Sequence, residues 1–201
     1  MKHIKLLIKK LGYNQLRNKL YNEFIETVLH PFAVYGKISI SEGSFLMKLV
    51  RETQAFPGPI IEVGTLFGYS TITLIYAKDP RKKLITVDDY SWNPCGLGSS
   101  IHFDLTKEIL KEAVEKYSVH SLKMNKQEFY KTYDETSPSL VFLDADHSYE
   151  STLEDLKWAK RVGAKVICGH DYKEQTPGVI QAVNEVCGGA PSRVHESIFV
   201  L

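Results

Sequence analysis

The sequence predicts an α/β fold with a doubly wound, mostly parallel sheet. Short apolar runs alternate with amphipathic helical patterns along most of the chain, which is typical of strands joined by crossover helices. The first such run, 60–63, is apolar except for Glu62, as a strand covered on both faces can be. The 201 residues are enough for one domain with a sizeable core. In such a sheet, ligands bind beyond the carboxyl ends of the strands.

Each predicted element follows from a local pattern. Pro59 precedes the first strand, and the apolar positions of 105–117 lie on one helical face. The loop 90–100 contains Trp92 and two glycines, and Pro177 opens the last helix. In chain order we expect a helix at 41–53, a strand at 60–63, a helix from 70 to 77, a strand at 83–87, a helix at 105–117, strands at 119–124 and 140–143, a helix at 148–160, a strand at 165–168, a helix at 179–186 and a β-prone tail at 198–201.

Residues 1–40 form a predicted N-terminal helical extension, followed by the main domain at 41–201. Apolar residues recur at helical spacing, with an interruption near Gly12 and a stop at His30 and Pro31. We expect a helix packed on the domain edge. A lid, an arm that joins two copies into a homo-oligomer, and a membrane-surface anchor are open alternatives.

Composition excludes several classes of protein. A net charge of +1 gives no basic surplus for nucleic acid. Three cysteines without a C-x-x-C pair do not make a disulfide framework, and no apolar run is long enough for a signal peptide or a membrane span. We therefore expect a cytoplasmic protein.

The turn after the first strand has the pattern of a nucleotide-cofactor site. Glu62 precedes Gly64 and Gly68 with the spacing Glu-x-Gly-x-x-x-Gly, and an acid at this point suits a ligand with an ammonium group better than a pyrophosphate. Glycines let a ligand lie against the backbone, and Ser70 and Thr71 can cap the following helix. The second strand ends at Asp88 and Asp89, where a carboxylate can accept hydrogen bonds from a ribose.

Acids and histidines follow two later strands. Asp144 and His147 come after 140–143, and His170 and Asp171 come after 165–168. Because these strand ends share one crevice, the side chains can converge and hold a hard divalent ion such as Mg²⁺ or Mn²⁺. Asp146 has a simpler explanation as a helix cap.

These motifs together resemble the class I S-adenosylmethionine-dependent methyltransferases, in the branch of small O-methyltransferases that act on catechols, sugars and macrolides. The similarity covers about residue 41 to the end and depends on Ile61-Glu-Val-Gly-Thr-Leu-Phe-Gly-Tyr-Ser70, Val87-Asp-Asp89, Phe142-Leu-Asp-Ala-Asp-His-Ser-Tyr149 and Gly169-His-Asp-Tyr172. It implies a seven-stranded Rossmann-like sheet with the last strand antiparallel, and S-adenosyl-L-methionine as cofactor.

The resemblance also implies roles for individual residues. The residues expected to bind the cofactor are Glu62, Gly64, Thr65, Gly68, Tyr69, Ser70, Asp88, Asp89, Asn125, Gln127 and Asp144. Among them, Asn125 to Gln127 are expected to form a loop near the adenine. Asp144 and Asp171 match metal positions, with His170 as a further candidate ligand, and His147 matches a general base that acts with Asp144 in catalysis. The expected activity is methyl transfer to a hydroxyl of a small molecule such as a sugar, natural product or phenol.

Three alternatives stay open at this point. A nicotinamide-dependent oxidoreductase would need a third glycine in the turn, which is absent. A non-catalytic module with the same fold is compatible with His170 and Tyr172, which depart from the family's pattern. A methyltransferase could also use a nitrogen or carbon acceptor.

Overall fold

A seven-stranded sheet organises the residues that the computed structural model describes, 38–92 and 96–201. Its strands are β1 Ile60–Val63, β2 Leu84–Asp88, β3 Val119–Lys123, β4 Leu140–Leu143, β5 Ile167–Gly169, β6 Arg193–His195 and β7 Ile198–Val200. The helices are α1 Ile40–Glu52, α2 Tyr69–Ala77, α3 Ser99–Lys116, α4 Lys126–Thr132, α5 Tyr149–Arg161 and α6 Pro177–Cys187.

The strand order is β3-β2-β1-β4-β5-β7-β6. The first five strands in this order are parallel, and β7 runs antiparallel to both β5 and β6. The predicted fold class is therefore confirmed, including the antiparallel last strand. In register, Val63 lies beside Val87 and Leu143, so β1, β2 and β4 end at nearly the same level and their following residues share one edge.

Alternation along the strands divides the core between the two faces of the sheet. Ile60 packs in one cluster with residues of α1, α2 and α3, whereas Ile61 and Val63 pack in the other with residues of α4, α5 and α6. Successive side chains of a strand point to opposite faces, so Glu62 faces the same side as Ile60. This parity directs its carboxylate toward α2.

Three elements differ from the sequence-based expectations. Residues 126–132 form a helix where a loop was expected. The sequence did not indicate this helix, because its buried residues are Phe129 and Tyr130 and they do not make a full apolar stripe. Helix α3 begins at Ser99, six residues before the expected start, and its first turn exposes Ile101. The short β6 is a separate, mostly exposed edge strand that the tail's apolar pattern did not indicate.

The predicted N-terminal extension at 1–40 lies almost entirely outside the described residues. Helix α1 starts at Ile40, where Ser39 accepts a hydrogen bond from the Glu42 amide and Glu42 accepts one from the Ser39 amide, a reciprocal capping box. Within 38–92 and 96–201, no helix combines the length and apolar character needed to cross a membrane.

Candidate active site

A cavity of about 1090 Å³ lies at the carboxyl edge of the sheet. Most of the predicted site residues line it: Gly64, Thr65, Tyr69, Ser70, Asp88, Asp89, Asn125, Gln127, Asp144, His147, His170 and Asp171. Glu62 and Gly68 are not among its lining residues. Sequence reasoning missed Lys173, which also lines the cavity; its position two residues after Asp171, at the end of a predicted strand, was the available signal.

Glu62 lies beneath the cavity and stabilises the turn from inside the protein. It is fully buried, and its carboxylate accepts hydrogen bonds from the hydroxyls of Ser70 at 2.6 Å, Thr71 at 2.5 Å and Thr86 at 2.6 Å. Burial raises the pKa of Glu62 to about 7, and the three hydroxyl hydrogen bonds only partly oppose this rise. The structure therefore does not bring Glu62 to the cavity wall, and its assignment to cofactor binding stays a prediction.

The same contacts change the expected capping of α2. Ser70 and Thr71 were expected to cap the helix, but their hydroxyls donate to Glu62 instead. The N-cap residue is Gly68, at φ 87°, and it provides no side-chain hydrogen bond. The capping prediction is wrong because a buried carboxylate attracts both hydroxyls.

The two glycines of the turn are required by packing within the protein. A Cβ on Gly64, at φ 99°, would lie 1.9 Å from the Asp144 carbonyl oxygen, and one on Gly68 would lie 2.8 Å from a methyl carbon of Leu110. Neither direction points to open space in the cavity. The glycines allow the turn to pack against β4 and α3, and a ligand lying against Gly64, which lines the cavity, stays a prediction.

Asp88 joins the end of β2 to the turn. Its carboxylate accepts hydrogen bonds from the backbone amides of Thr65 and Leu66, both at 2.8 Å, and of Tyr90 at 2.6 Å. The neighbouring Asp89 accepts one from the Ser91 amide at 2.8 Å. Both acids line the cavity, so the predicted ribose contact remains open to either, while Asp88 also fixes the shape of the turn.

Asn125 and Gln127 lie at the start of α4 on the cavity wall. Asn125 is the N-cap, and its side chain accepts a hydrogen bond from the Gln127 amide at 2.9 Å. The Gln127 side chain donates to Glu154 at 2.7 Å. The predicted adenine position thus corresponds to a helix start held by its own hydrogen bonds.

The acids and histidines after β4 and β5 converge as predicted. His147 Nε2 lies 2.9 Å from Asp171 Oδ2 and 3.7 Å from Asp144 Oδ1. Hydrogen bonds with Asp144 and Asp171 raise the pKa of His147 to about 9, against the opposing effect of burial. The pKa of His147 therefore lies above the ordinary value for an imidazole, because two carboxylates stabilise the imidazolium.

His170 forms a second layer behind these acids. Its Nδ1 lies 3.4 Å from Asp171 Oδ2 and 3.6 Å from Asp144 Oδ1, and its Nε2 lies 3.1 Å from Glu42 Oε1 and 2.9 Å from Ser197 Oγ. Burial alone would lower the pKa of His170, but the hydrogen bonds with Asp144 and Asp171 outweigh it and raise the pKa to about 10. His170 thereby connects the cluster to the start of α1.

The contacts of the cluster decide how well it can hold a metal ion. Asp144, His147 and Asp171 can each direct one ligand atom to a common point, with these atoms within 4.8 Å of one another. Asp171 is also ion-paired with Lys173, which places a positive charge beside one of the candidate ligands. Two carboxylates with water molecules are an ordinary ligand set for Mg²⁺, so what opposes an ion here is the lysine on Asp171 and not the number of acids. With Lys173 on Asp171 the residues fit a divalent ion poorly, and His170, predicted as a ligand, is held by Glu42 and Ser197.

Comparison with known proteins agrees with this architecture. An O-methyltransferase from Bacillus cereus in complex with SAH superimposes with a TM-score of 0.64 at 18% identity, covering 92% of this chain and 82% of that one. The O-methyltransferase TomG from Streptomyces achromogenes, involved in tomaymycin synthesis and solved with SAM, gives 0.61 at 22% identity, covering 84% and 75%. CalS11, a TDP-rhamnose 3′-O-methyltransferase of calicheamicin biosynthesis, gives 0.61 at 13% identity, covering 94% of each chain.

At these identities the structural neighbours establish a shared fold. A search of curated proteins found no match. The sequence model of the methyltransferase domain matches residues 61–172, more than half of the chain, and this range includes the turn after β1, the end of β2 and the acid and histidine cluster. The chain therefore belongs to the methyltransferase domain family.

Proposed function

We propose that the protein is an S-adenosylmethionine-dependent O-methyltransferase that acts on a small hydroxylated molecule. The observation that carries the proposal is that one cavity is lined both by the predicted cofactor residues and by the acid and histidine cluster. An acceptor bound at the cluster would thus face a methyl donor bound along the turn. Methyl transfer is a displacement that depends chiefly on such alignment.

The predicted cofactor residues follow β1, β2 and β3, which are neighbouring strands of the sheet, and this arrangement supports binding of an extended nucleoside across their ends. The turn from Gly64 to Ser70 would hold the amino-acid part, Asp88 or Asp89 the ribose, and the start of α4 the adenine. The cofactor supplies the activated methyl group when it is bound. The protein's own residues then have to orient an acceptor and accept its proton.

His147 is the proposed proton acceptor. It borders the cavity with its side chain 42% exposed, so an acceptor hydroxyl can reach it, whereas Asp144 and Asp171 are largely covered. These two carboxylates stabilise the imidazolium that forms when His147 takes the proton. The same stabilisation keeps His147 protonated in most molecules at neutral pH. The neutral imidazole that the reaction needs becomes more abundant as pH rises toward 9.

The acceptor class is proposed on chemical grounds and on the neighbours' names. An alcohol needs a base for activation, and the cluster provides one. TomG and CalS11 are O-methyltransferases that belong to natural-product pathways, the latter with a sugar nucleotide as acceptor. We propose a sugar, natural product or phenol for this chain, and a reducing compartment such as the cytoplasm, because Cys168 and Cys187 are free thiols.

Two measurements test the proposal in sequence. Calorimetry should show uptake of S-adenosylhomocysteine and none of NADH, which separates a methyltransferase from an oxidoreductase. Methyl incorporation from labelled S-adenosylmethionine into a panel of sugars, sugar nucleotides and phenols then identifies the acceptor, with His147→Ala as the inactive control. Folded protein that binds no S-adenosylhomocysteine would refute the proposed function. Cofactor binding without methyl transfer to any hydroxyl would favour a non-catalytic module with the same fold.

A further inference from the structure

Lys173 places a positive charge on the cavity side of the acid and histidine cluster. Its ammonium group is ion-paired with Asp171 Oδ1, and it borders the same cavity as Asp144 and His147. Asp171 is only 9% exposed at its side chain, so this contact reaches a largely buried carboxylate. Lys173 is thus the cluster's contact with solvent on that side of Asp171.

A hydrogen-bonded turn fixes the backbone that carries Lys173. The Lys173 amide donates to the Asp171 carbonyl at 2.9 Å, and the Thr176 amide donates to the Lys173 carbonyl at 3.0 Å. The Thr176 hydroxyl also donates to the Asp171 carbonyl. This turn leads directly into α6 at Pro177. Hydrogen bonds to both the amide and the carbonyl of Lys173 therefore hold its backbone close to Asp171.

The other oxygen of Asp171 is also occupied. Oδ2 lies 2.9 Å from His147 Nε2 and 3.4 Å from His170 Nδ1. His170 is in turn held on its far side by Glu42 and Ser197 and cannot easily move away. A divalent ion approaching Asp171 would therefore have to displace Lys173 or sit beside it, against the repulsion of a like charge at short range.

We propose that Lys173 is a built-in cation that takes, on Asp171, the place of a divalent ion, so that the cluster works without metal and disfavours metal binding. Lys173 is a positioning residue in this arrangement: it acts through Asp171, which holds His147. Metal exclusion can be measured without any methyl acceptor and is independent of the proposed function. The statement that catalysis needs no metal rests on that function.

The test compares Mn²⁺ binding, by calorimetry, to metal-stripped full-length wild type, Lys173→Met, Lys173→Arg and Lys165→Met. Lys173→Met keeps most of the side chain's length and removes its charge, and Lys173→Arg keeps the charge. Lys165 is an exposed lysine just before β5, at the amino-terminal end of the strand, whereas the cavity lies at the carboxyl ends. Lys165→Met therefore controls for the loss of a positive charge away from the cluster. We expect Lys173→Met to bind Mn²⁺ at least about tenfold more tightly than wild type, and the other two variants to match wild type.

Two results would overturn the proposal. One is equal Mn²⁺ affinity in wild type and Lys173→Met, provided that circular dichroism shows a folded variant; if Lys173→Met does not fold, Lys173→Gln takes its place. The other is wild-type methyl transfer that disappears with a chelator and returns with Mn²⁺. Failure of the proposed function would look different, since methyl transfer and S-adenosylhomocysteine binding would then be absent with and without Mn²⁺.

Discussion

Replacing Glu62 by glutamine tests how a buried acid affects stability in this fold. The side chain is fully buried and is held by the hydroxyls of Ser70, Thr71 and Thr86. Hydroxyls can donate or accept, so they can adjust to an amide of nearly the same shape. The substitution therefore removes one ionisable group with little change in packing.

The expected effect follows from the difference between the folded and unfolded pKa values. Glu62 has a pKa of about 7 in the folded protein and an ordinary value of 4.5. Between these values the unfolded chain binds fewer protons than the folded protein, so the free energy of unfolding falls as pH rises through this window. One pH unit corresponds to about 1.4 kcal/mol for one proton, so Glu62 lowers the stability of the wild type by about 3 kcal/mol between the two ends of the window.

The assay is urea denaturation of wild type and Glu62→Gln at several pH values from about 4.5 to about 8. Other titrating groups cancel when the two proteins are compared at each pH. The stability of Glu62→Gln relative to wild type should increase by about 3 kcal/mol from the acid to the alkaline end, with most of the change below pH 7. Glu115→Gln, on an exposed position of α3, is the control and should show no such trend. A difference that stays constant with pH would refute the assignment of a raised pKa to Glu62.

Three further predictions concern the turn and the cluster. Gly64→Ala should lower the free energy of unfolding by about 3 kcal/mol or more, because its Cβ would overlap the Asp144 carbonyl. Gly188 is also at positive φ but has open space around its Cβ, so Gly188→Ala should cost only about 1 kcal/mol. Urea denaturation compares the two variants, and equal losses would contradict the packing argument. Asp144→Ala should reduce methyl transfer at least about a hundredfold in a folded protein that retains most of its affinity for S-adenosylhomocysteine, and unchanged turnover would exclude Asp144 from catalysis. Asp88→Asn should weaken S-adenosylhomocysteine binding at least about tenfold by calorimetry, since an amide cannot accept all of the turn's amide hydrogens; unchanged affinity would show that the turn keeps its shape without the carboxylate.

The sequence predicted those parts of the fold whose patterns report burial directly. Strands covered on both faces are short apolar runs, and β4 was predicted with its observed ends. Elements that depend on capping or edge pairing were harder to predict. Helix α4 is defined by the Asn125 cap and two aromatic side chains, and β6 pairs with β7 at the edge of the sheet.

The sequence predicted where the site lies better than it predicted which groups its side chains contact. Parallel strands bring their carboxyl ends together, so the convergence of Asp144, His147 and Asp171 follows from topology. Which group each side chain contacts depends on parity and on neighbours distant in sequence. Glu62 was expected at a ligand but faces α2, and the Lys173 ion pair depends on a turn whose hydrogen bonds the sequence does not reveal.

The four acids near the carboxyl ends of β1, β2, β4 and β5 differ in function because they differ in partner. Hydroxyls surround Glu62 and backbone amides surround Asp88, and both sets of partners hold the shape of the turn. Asp144 and Asp171 instead face imidazoles, groups that can gain and lose a proton. A carboxylate with such a partner can assist proton transfer by stabilising the imidazolium. It follows that removing Glu62 or Asp88 should alter stability or cofactor affinity first, whereas removing Asp144 or Asp171 should alter turnover in a protein that still folds.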